Sequence, residues 1–418
     1  MGLRVGLLHY TAPPVVGGVE VVLGQHARLL ADAGHRVRII TGRGGRPTPG
    51  IEVVRIPLAD ARHPAIRAVR AALDEGHVPA AFEVLVADLA ADLRPAVAGL
   101  DILVAHNVCG LHFNLPLTAA LRELVGESRS PAFIAWQHDL AGTSTRHAGE
   151  LHPGHPWDLL RTAWPRTTYV TVSEARRAEL AGLTGLTAKS VRVVPNGIEL
   201  DRLLDIHPAT KRLLEELGLP GSGPVLLVPV RITPRKNLEL AIGVVAELRR
   251  SGGDARLIVT GPPDPHASGS GAGVARLRAL ADEAGVAAAV HLLAVDRGRQ
   301  TSGRVVSDLY RVADALLLPS RDEGFGLPVL EAAACRLPVF CADIPTLREL
   351  ACDDATYFSP DADPAAVAGL IHERLASETL SRFGRRVRVE YGWSAIYTTR
   401  IEPLLAAVAA RDRPGESN

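Results

Sequence analysis

Three short stretches carry residues whose types and spacing suit the handling of a phosphorylated, hydroxyl-rich molecule. In "PVRITPRKNLEL" (229–240), Arg231 and Lys236 lie between an apolar run and an amphipathic one. Two cationic side chains and the N–H groups of a helix start can converge there on one diphosphate; a solvated basic turn is the plainer reading. In "EGFGLPVLE" (323–331), Glu323 precedes Gly324, Phe325 and Gly326, and Leu327-Pro328 opens a helix that carries Glu331 about one turn in. Ionised carboxylates accept hydrogen bonds but do not donate them, so this pair suits sugar and ribose hydroxyls, with the backbone N–H groups between left for phosphate. Gly17, Gly18 and Glu20 follow the first apolar run, and such glycines let backbone approach a ligand closely. That loop lacks GxGxxG and the Walker lysine, and a tight turn alone explains it equally well.

Two further polar pairs end apolar runs. His138 in "WQHDL" can donate to a bound hydroxyl, with Asp139 as a polar wall or its partner. His106 and Asn107 in "VAHN" occupy a matching position and are expected to line the same cleft. With 15 histidines in the chain, position rather than residue type singles these out. No HxxxH-like spacing and no compact cysteine set occurs, so no metal site is expected.

Such side chains need strands that end beside them. Apolar runs at 3–10, 35–42, 50–57, 101–107, 132–139, 167–173 and 190–200 read as strands, with helices near 19–33, 64–75, 116–125 and 173–183, the last capped by Ser173. The stretch 82–96 fits either helix or strand. The alternation restarts with strands at 223–230, 255–261, 315–320 and 337–342, a short apolar run at 289–295, and helices at 235–252, 274–285, 304–314 and 363–376. Continuous rather than alternating apolar strands imply parallel sheets covered by helices on both faces. The expected architecture is α/β: two Rossmann-like domains, 1–200 and 223–392, with parallel sheets facing an interdomain cleft, joined by 201–222 with one short helix. A chain of 418 residues also exceeds what one core usually supports. The patch 262–273 reads as a mobile loop, 393–410 as a terminal helix, and the last residues as a frayed tail.

Composition bounds the partners. The 46 basic residues balance 46 acidic ones, so there is no global field for nucleic acid or acidic lipid, and any anion site must be local. Only Lys189, Lys211 and Lys236 are lysines. Cys109, Cys335, Cys341 and Cys352 match neither a zinc site nor a disulfide scaffold, and a reducing cytosol is expected. Neither a leader peptide nor a transmembrane run is evident, which leaves peripheral membrane contact open. The oligomeric state is not legible.

Together "GGVE" (17–20), "RITPRKN" (231–237) and "EGFGLPVLE" (323–331) resemble the glycosyltransferase family 4 pattern, over nearly the whole chain. The resemblance implies a GT-B fold and transfer of a hexosyl group from a nucleotide-sugar to a hydroxyl, with retention of anomeric configuration. No cofactor and no metal are implied, the nucleotide-sugar being a co-substrate. By resemblance Gly17 and Gly18 approach donor phosphate or acceptor, Arg231 and Lys236 hold the diphosphate, Glu323 meets the sugar and Glu331 the ribose. Gly324, Phe325, Gly326 and Leu327 complete the donor site. His138 resembles the family's active-site histidine, and the helix from Trp393 resembles one that crosses back to the first domain; Glu20, His106, Asn107 and Asp139 are read from their positions as acceptor contacts or cleft wall. Two departures stand out: Arg336 where glycine is usual, and "CADIPTLREL" (341–350) in place of a glycine-rich loop. A UDP-sugar is slightly preferred over GDP-mannose, and the 4% aromatic content favours a soluble acceptor. A non-catalytic nucleotide-sugar binder and a membrane-surface enzyme acting on a lipid or polysaccharide precursor are the alternatives.

Overall fold

The computed structural model describes residues 2–46, 48–127, 130–219, 221–264 and 270–411. They form two compact units, Met1–Gly197 with Ile396–Asn418, and Ile198–Ala395. The first holds seven strands: β1 (Arg4–Thr11), β2 (Arg36–Arg43), β3 (Ile51–Arg55), β4 (Ile102–His106), β5 (Ala132–Gln137), β6 (Thr167–Thr171) and β7 (Val191–Val193). Every ladder among them is parallel, in the order β3-β2-β1-β4-β5-β6-β7. The central strands β4 and β5 are buried along their whole length, as continuous apolar runs require. The ambiguous stretch is a helix, Ala81–Val97. Its buried positions Phe82, Leu85, Val86, Leu89 and Leu93 recur at intervals of three and four, the spacing of one helical face.

The second unit holds β8 (Val225–Val228), β9 (Arg256–Val259), β10 (Val290–Leu292), β11 (Ala315–Leu318), β12 (Val339–Ala342) and β13 (Thr356–Phe358). The order β10-β9-β8-β11-β12-β13 repeats the relative order of the first six strands of the other sheet. Both are doubly wound, and the connection direction reverses once in each, between β1 and β4 and between β8 and β11. Open parallel sheets bind ligands at the carboxyl ends of strands beside that reversal.

Several expectations change in detail. The segment 201–222 carries two helices, Leu200–Leu203 and Pro208–Glu216, rather than one. The second is anchored by fully buried Asp308, which accepts from the Thr210 hydroxyl at 2.7 Å and the His207 amide at 3.1 Å. β13 had no sequence signal because three residues are too few to show a period. The helix expected from Arg235 begins at Leu238, after a 3-10 turn Pro234–Lys236, because Asn237 takes a left-handed backbone with φ of 54°. The terminal helix is interrupted by a π turn, Tyr397–Ile401, between Trp393–Ile396 and Glu402–Arg411. Residues 265–269 of the expected mobile loop and 412–418 of the tail lie outside the described residues. No described helix is long and apolar enough to cross a membrane.

Candidate active site

At the reversal in the second sheet, the loops leaving β8 and β11 are zipped together. The Arg321 amide donates to the Arg235 carbonyl at 2.8 Å, and Arg235 Nη1 donates to the Asp322 carbonyl at 3.1 Å. Between them Lys236 Nζ donates to Glu323 Oε1 at 2.5 Å, with both side chains under a tenth exposed. Asn237 Nδ2 completes the tie, donating to the Pro319 carbonyl at 3.1 Å and the Pro360 carbonyl at 2.8 Å. On the other side of β8, Gly261 at the end of β9 lies against the loop after β8, where a Cβ would stand 2.3 Å from the Val230 carbonyl oxygen. Arg231, by contrast, is exposed and has no ion-pair partner among the described residues.

After Glu323 the chain turns through exposed Gly324 and Phe325 into Gly326, where the φ of 99° disfavours any side chain and a Cβ would stand 2.7 Å from Leu347 Cδ2. The helix Leu327–Ala334 follows, with Pro328 in its first turn and Leu327 exposed. Among the described residues, the amides of Gly324, Phe325, Gly326 and Leu327 find no protein acceptor, the last two as the cap and first residue of the helix. Glu331 is exposed and accepts from the Tyr310 hydroxyl at 2.5 Å. Burial, then that carboxylate, pushes the Tyr310 phenol well above its ordinary range, so it stays a donor.

Arg336 closes this helix. Its amide donates to the Ala333 carbonyl at 3.0 Å and the Leu337 amide to the Ala332 carbonyl at 2.9 Å, with φ of 57° at Arg336. The arginine therefore keeps the left-handed turn that glycine would adopt freely. A non-glycine residue there costs about 1–2 kcal/mol, and glycine returns up to about 1 kcal/mol of that as unfolded-state entropy. Arg336→Gly is expected to stabilise the second unit by roughly 1 kcal/mol, about 2–4 °C in Tm by calorimetry; a lower Tm contradicts this account.

In the first unit, Gly17 caps the helix Gly18–Asp32 from extended backbone, and Gly18 is open. A Cβ on Gly17 would meet the folded-back Glu20 carboxylate. Glu20 accepts from the Thr11 hydroxyl and lies 4.0 Å from His9 Nε2, so it belongs to the end of β1. His106 is fully buried between β1 and β5, which corrects its expected place on a wall. Asn107, 2% exposed with φ of 58°, is a clamp. Its Oδ1 accepts from the His138 and Asp139 amides at 2.9 and 2.8 Å, and its Nδ2 donates to Asp139 Oδ2 at 3.3 Å. Asp139 bonds Asn107 and lies 4.0 Å from Arg176; the partner of His138 is instead His106, Nδ1 to Nε2 at 3.3 Å.

His138 thus belongs to a buried cluster with His9, His26, His106 and Trp136. His9 Nδ1–H donates to the His106 carbonyl at 2.7 Å, and the His26 ring packs 4.7 Å from Trp136 and 5.2 Å from His106. Burial pushes the His26 imidazole down to about 3 and His138 down to about 4, and lowers His9 and His106 as well. All four are neutral at pH 7. His9 and His26 carried no sequence signal, because their strand and helix positions look apolar-facing.

A second polar knot was also missed, since its members come from two loops and a helix. His112 Nε2 and His147 Nδ1 lie 2.5 and 2.9 Å from Glu150 Oε2, and the three ligand-type atoms fall within 4.8 Å of one another. Arg70 Nη2 stands 3.4 Å from His112 Nε2 and 4.0 Å from Glu150, its guanidinium over Phe113. Arg70 thus brings a positive charge to the same carboxylate that the two imidazoles share, and burial pushes His112 down to about 4.

Known proteins match both halves. Residues 16–202 match the family model described as Glycosyltransferase Family 4, and residues 210–389 the model described as Glycosyl transferases group 1. The chain is 30% identical over 417 residues to the D-inositol 3-phosphate glycosyltransferase of Xylanimonas cellulosilytica, covering 94% of this chain and 91% of that protein. It is 29% identical over 428 residues to D-inositol 3-phosphate glycosyltransferase 2 of Catenulispora acidiphila, covering 96% and 94%. Among solved structures, the sucrose-phosphate synthase of Thermosynechococcus elongatus is similar at 20% identity and a TM-score of 0.40, covering 98% of this chain and 100% of that one.

Proposed function

The chain belongs to glycosyltransferase family 4, with the two doubly wound domains of the GT-B fold, and from that premise we propose that it moves a hexosyl group from a UDP-sugar to a hydroxyl of a soluble cyclitol phosphate, with retention of configuration. The observation that carries the donor assignment is the buried Lys236–Glu323 pair at the reversal of the second sheet, with exposed Arg231 on the same loop after β8. Lysine has three N–H donors and spends one on Glu323, leaving two for diphosphate oxygens. Glu323 keeps Oε2 for a sugar hydroxyl, the unpaired amides of 324–327 face phosphate, and Glu331, held by Tyr310, receives a ribose hydroxyl. The acceptor class rests on the names of the relatives, and a cytoplasmic location is a further part of the proposal.

In this reading the acceptor hydroxyl attacks the anomeric carbon from the face the diphosphate leaves. The new bond forms to the acceptor oxygen, the bond to the phosphate oxygen breaks, and that oxygen takes the hydroxyl proton. Arg231, Lys236 and the helix-start amides stabilise the charge that gathers on the leaving group, the interaction worth most when preorganised, and the reaction so written needs no metal.

The test is turnover of UDP-hexoses and GDP-mannose against inositol 3-phosphate and a wider set of soluble hydroxyl acceptors, read as product mass. Tight nucleotide-sugar binding with no transfer to any acceptor would favour a binding module. Glu331→Ala is expected to weaken nucleoside diphosphate binding about tenfold, the worth of one charged hydrogen bond, and unchanged affinity by calorimetry removes its ribose role.

A further inference from the structure

The His106–His138 contact joins two imidazoles that can share only one proton, and which ring carries it decides what His138 offers a substrate. We propose that His106 is a positioning residue that donates Nδ1–H to His138 Nε2 and so holds His138 as the Nδ1–H tautomer, a neutral donor to a bound hydroxyl.

The argument starts from the unpartnered atoms. His106 Nε2 is buried and has no hydrogen-bond partner. If His138 donated, His106 would have to carry its proton on that Nε2, leaving a buried N–H without an acceptor. If His106 donates, Nε2 is a bare acceptor, the less costly orphan. The neighbouring orphan points the same way: Trp136 Nε1 is a donor only, also unpartnered, and its ring centroid lies 5.4 Å from that of His106. A lone pair complements that indole N–H, whereas a second N–H would oppose it.

The consequence for His138 follows from bookkeeping of its two nitrogens. Nε2 is occupied as an acceptor, so Nδ1 carries the proton, and no described residue accepts from it. The backbone on either side is fixed, since Asn107 Oδ1 accepts from the His138 and Asp139 amides. With 8% of the residue still exposed, Nδ1–H is the group left for a ligand. The groups facing His138 are His9 from β1, His26 from the helix Gly18–Asp32, His106 from β4, and Asp139 paired toward Arg176. Burial outweighs the nearby carboxylate and keeps the imidazole neutral above about pH 4. His138 is then a hydrogen-bond donor rather than a proton acceptor. The functional half of this inference rests on the transferase reading; the tautomer does not.

Long-range proton–nitrogen correlation spectra of the full chain, with labelled histidine, test it directly. Wild-type protein should show protonated Nδ1 and bare Nε2 for both His106 and His138, each assigned by the signal lost on His106→Leu and His138→Gln. Protonated Nε2 on His138 overturns the proposal. In His106→Leu, His138 should revert to the Nε2–H form and kcat/KM for the acceptor should fall about tenfold, the worth of one misdirected hydrogen bond, while His106→Asn, which keeps an N–H donor, should stay within about threefold of wild type. Equal losses in both variants would mark His106 as merely structural and overturn the positioning role. Because the spectra need no substrate, failure to find turnover would sink the transferase reading while the tautomer is decided independently.

Discussion

Replacing Lys236 by alanine is expected to lower transfer by about a thousandfold, the scale set by loss of a charge-stabilising donor, and to cost the second unit about 3 kcal/mol or more. The second effect comes from Glu323. With the two side chains 9% and 8% exposed and 2.5 Å apart, deleting the ammonium leaves a carboxylate buried without its partner. Removing one member of a buried pair is far more damaging than removing both, because an uncompensated charge keeps its full desolvation cost. Lys236→Met combined with Glu323→Leu should therefore regain most of the lost stability and none of the lost activity. Denaturant unfolding and initial rates under limiting donor separate the two effects. Wild-type activity in Lys236→Ala would end the phosphate assignment, and an unchanged midpoint would show that the pair contributes no net stability.

What the sequence discloses and what it hides follow a physical division. Arg231, Lys236, Glu323 and Glu331 are legible because charge beside glycine at a helix entrance is a local pattern. That Lys236 and Glu323 hold each other is not legible, since the contact spans 87 residues and depends on β8 lying beside β11. His138 is visible as a polar residue ending an apolar run. The imidazole that directs it, His106, looks from the sequence like a second wall residue, because burial of a strand end is decided by its two neighbours. The alternation of apolar runs and amphipathic segments predicts two parallel sheets. It misses β13 and the linker helix Leu200–Leu203, which are too short to establish a period.

Asn237 itself carries a sequence signal for a break, because asparagine is among the few residues that tolerate left-handed backbone. The residues after it repeat like a helix, and that pattern extended the expected helix back through Lys236. The chain breaks there with φ of 54°, and in that conformation Nδ2 donates to the carbonyls of both Pro319 and Pro360, tying the ends of β11 and β13 to the end of β8. Asn107 does the same in the other sheet, with φ of 58° and bonds across to the end of β5. In each sheet an asparagine in left-handed backbone thus ties neighbouring strand ends, across the reversal for Asn237 and from β4 to β5 for Asn107, and substitutions at Asn237 can separate backbone from side chain. Asn237→Ala loses both donors and keeps the backbone cost, about 3–5 kcal/mol in all. Asn237→Gly loses the same donors but relieves the backbone, and should be milder by about 1 kcal/mol. Asn237→Asp tolerates the backbone yet turns a carboxylate toward two carbonyl oxygens, so it should be no better than alanine. The calorimetric transition that nucleoside diphosphate raises reports the second unit. Glycine proving worse than alanine there would show that the left-handed backbone carries no cost, and a wild-type Tm in alanine would show that the two carbonyls do not need the side chain. Because Lys236 immediately precedes this residue, all three variants should also weaken donor binding, in the order of their loss of stability.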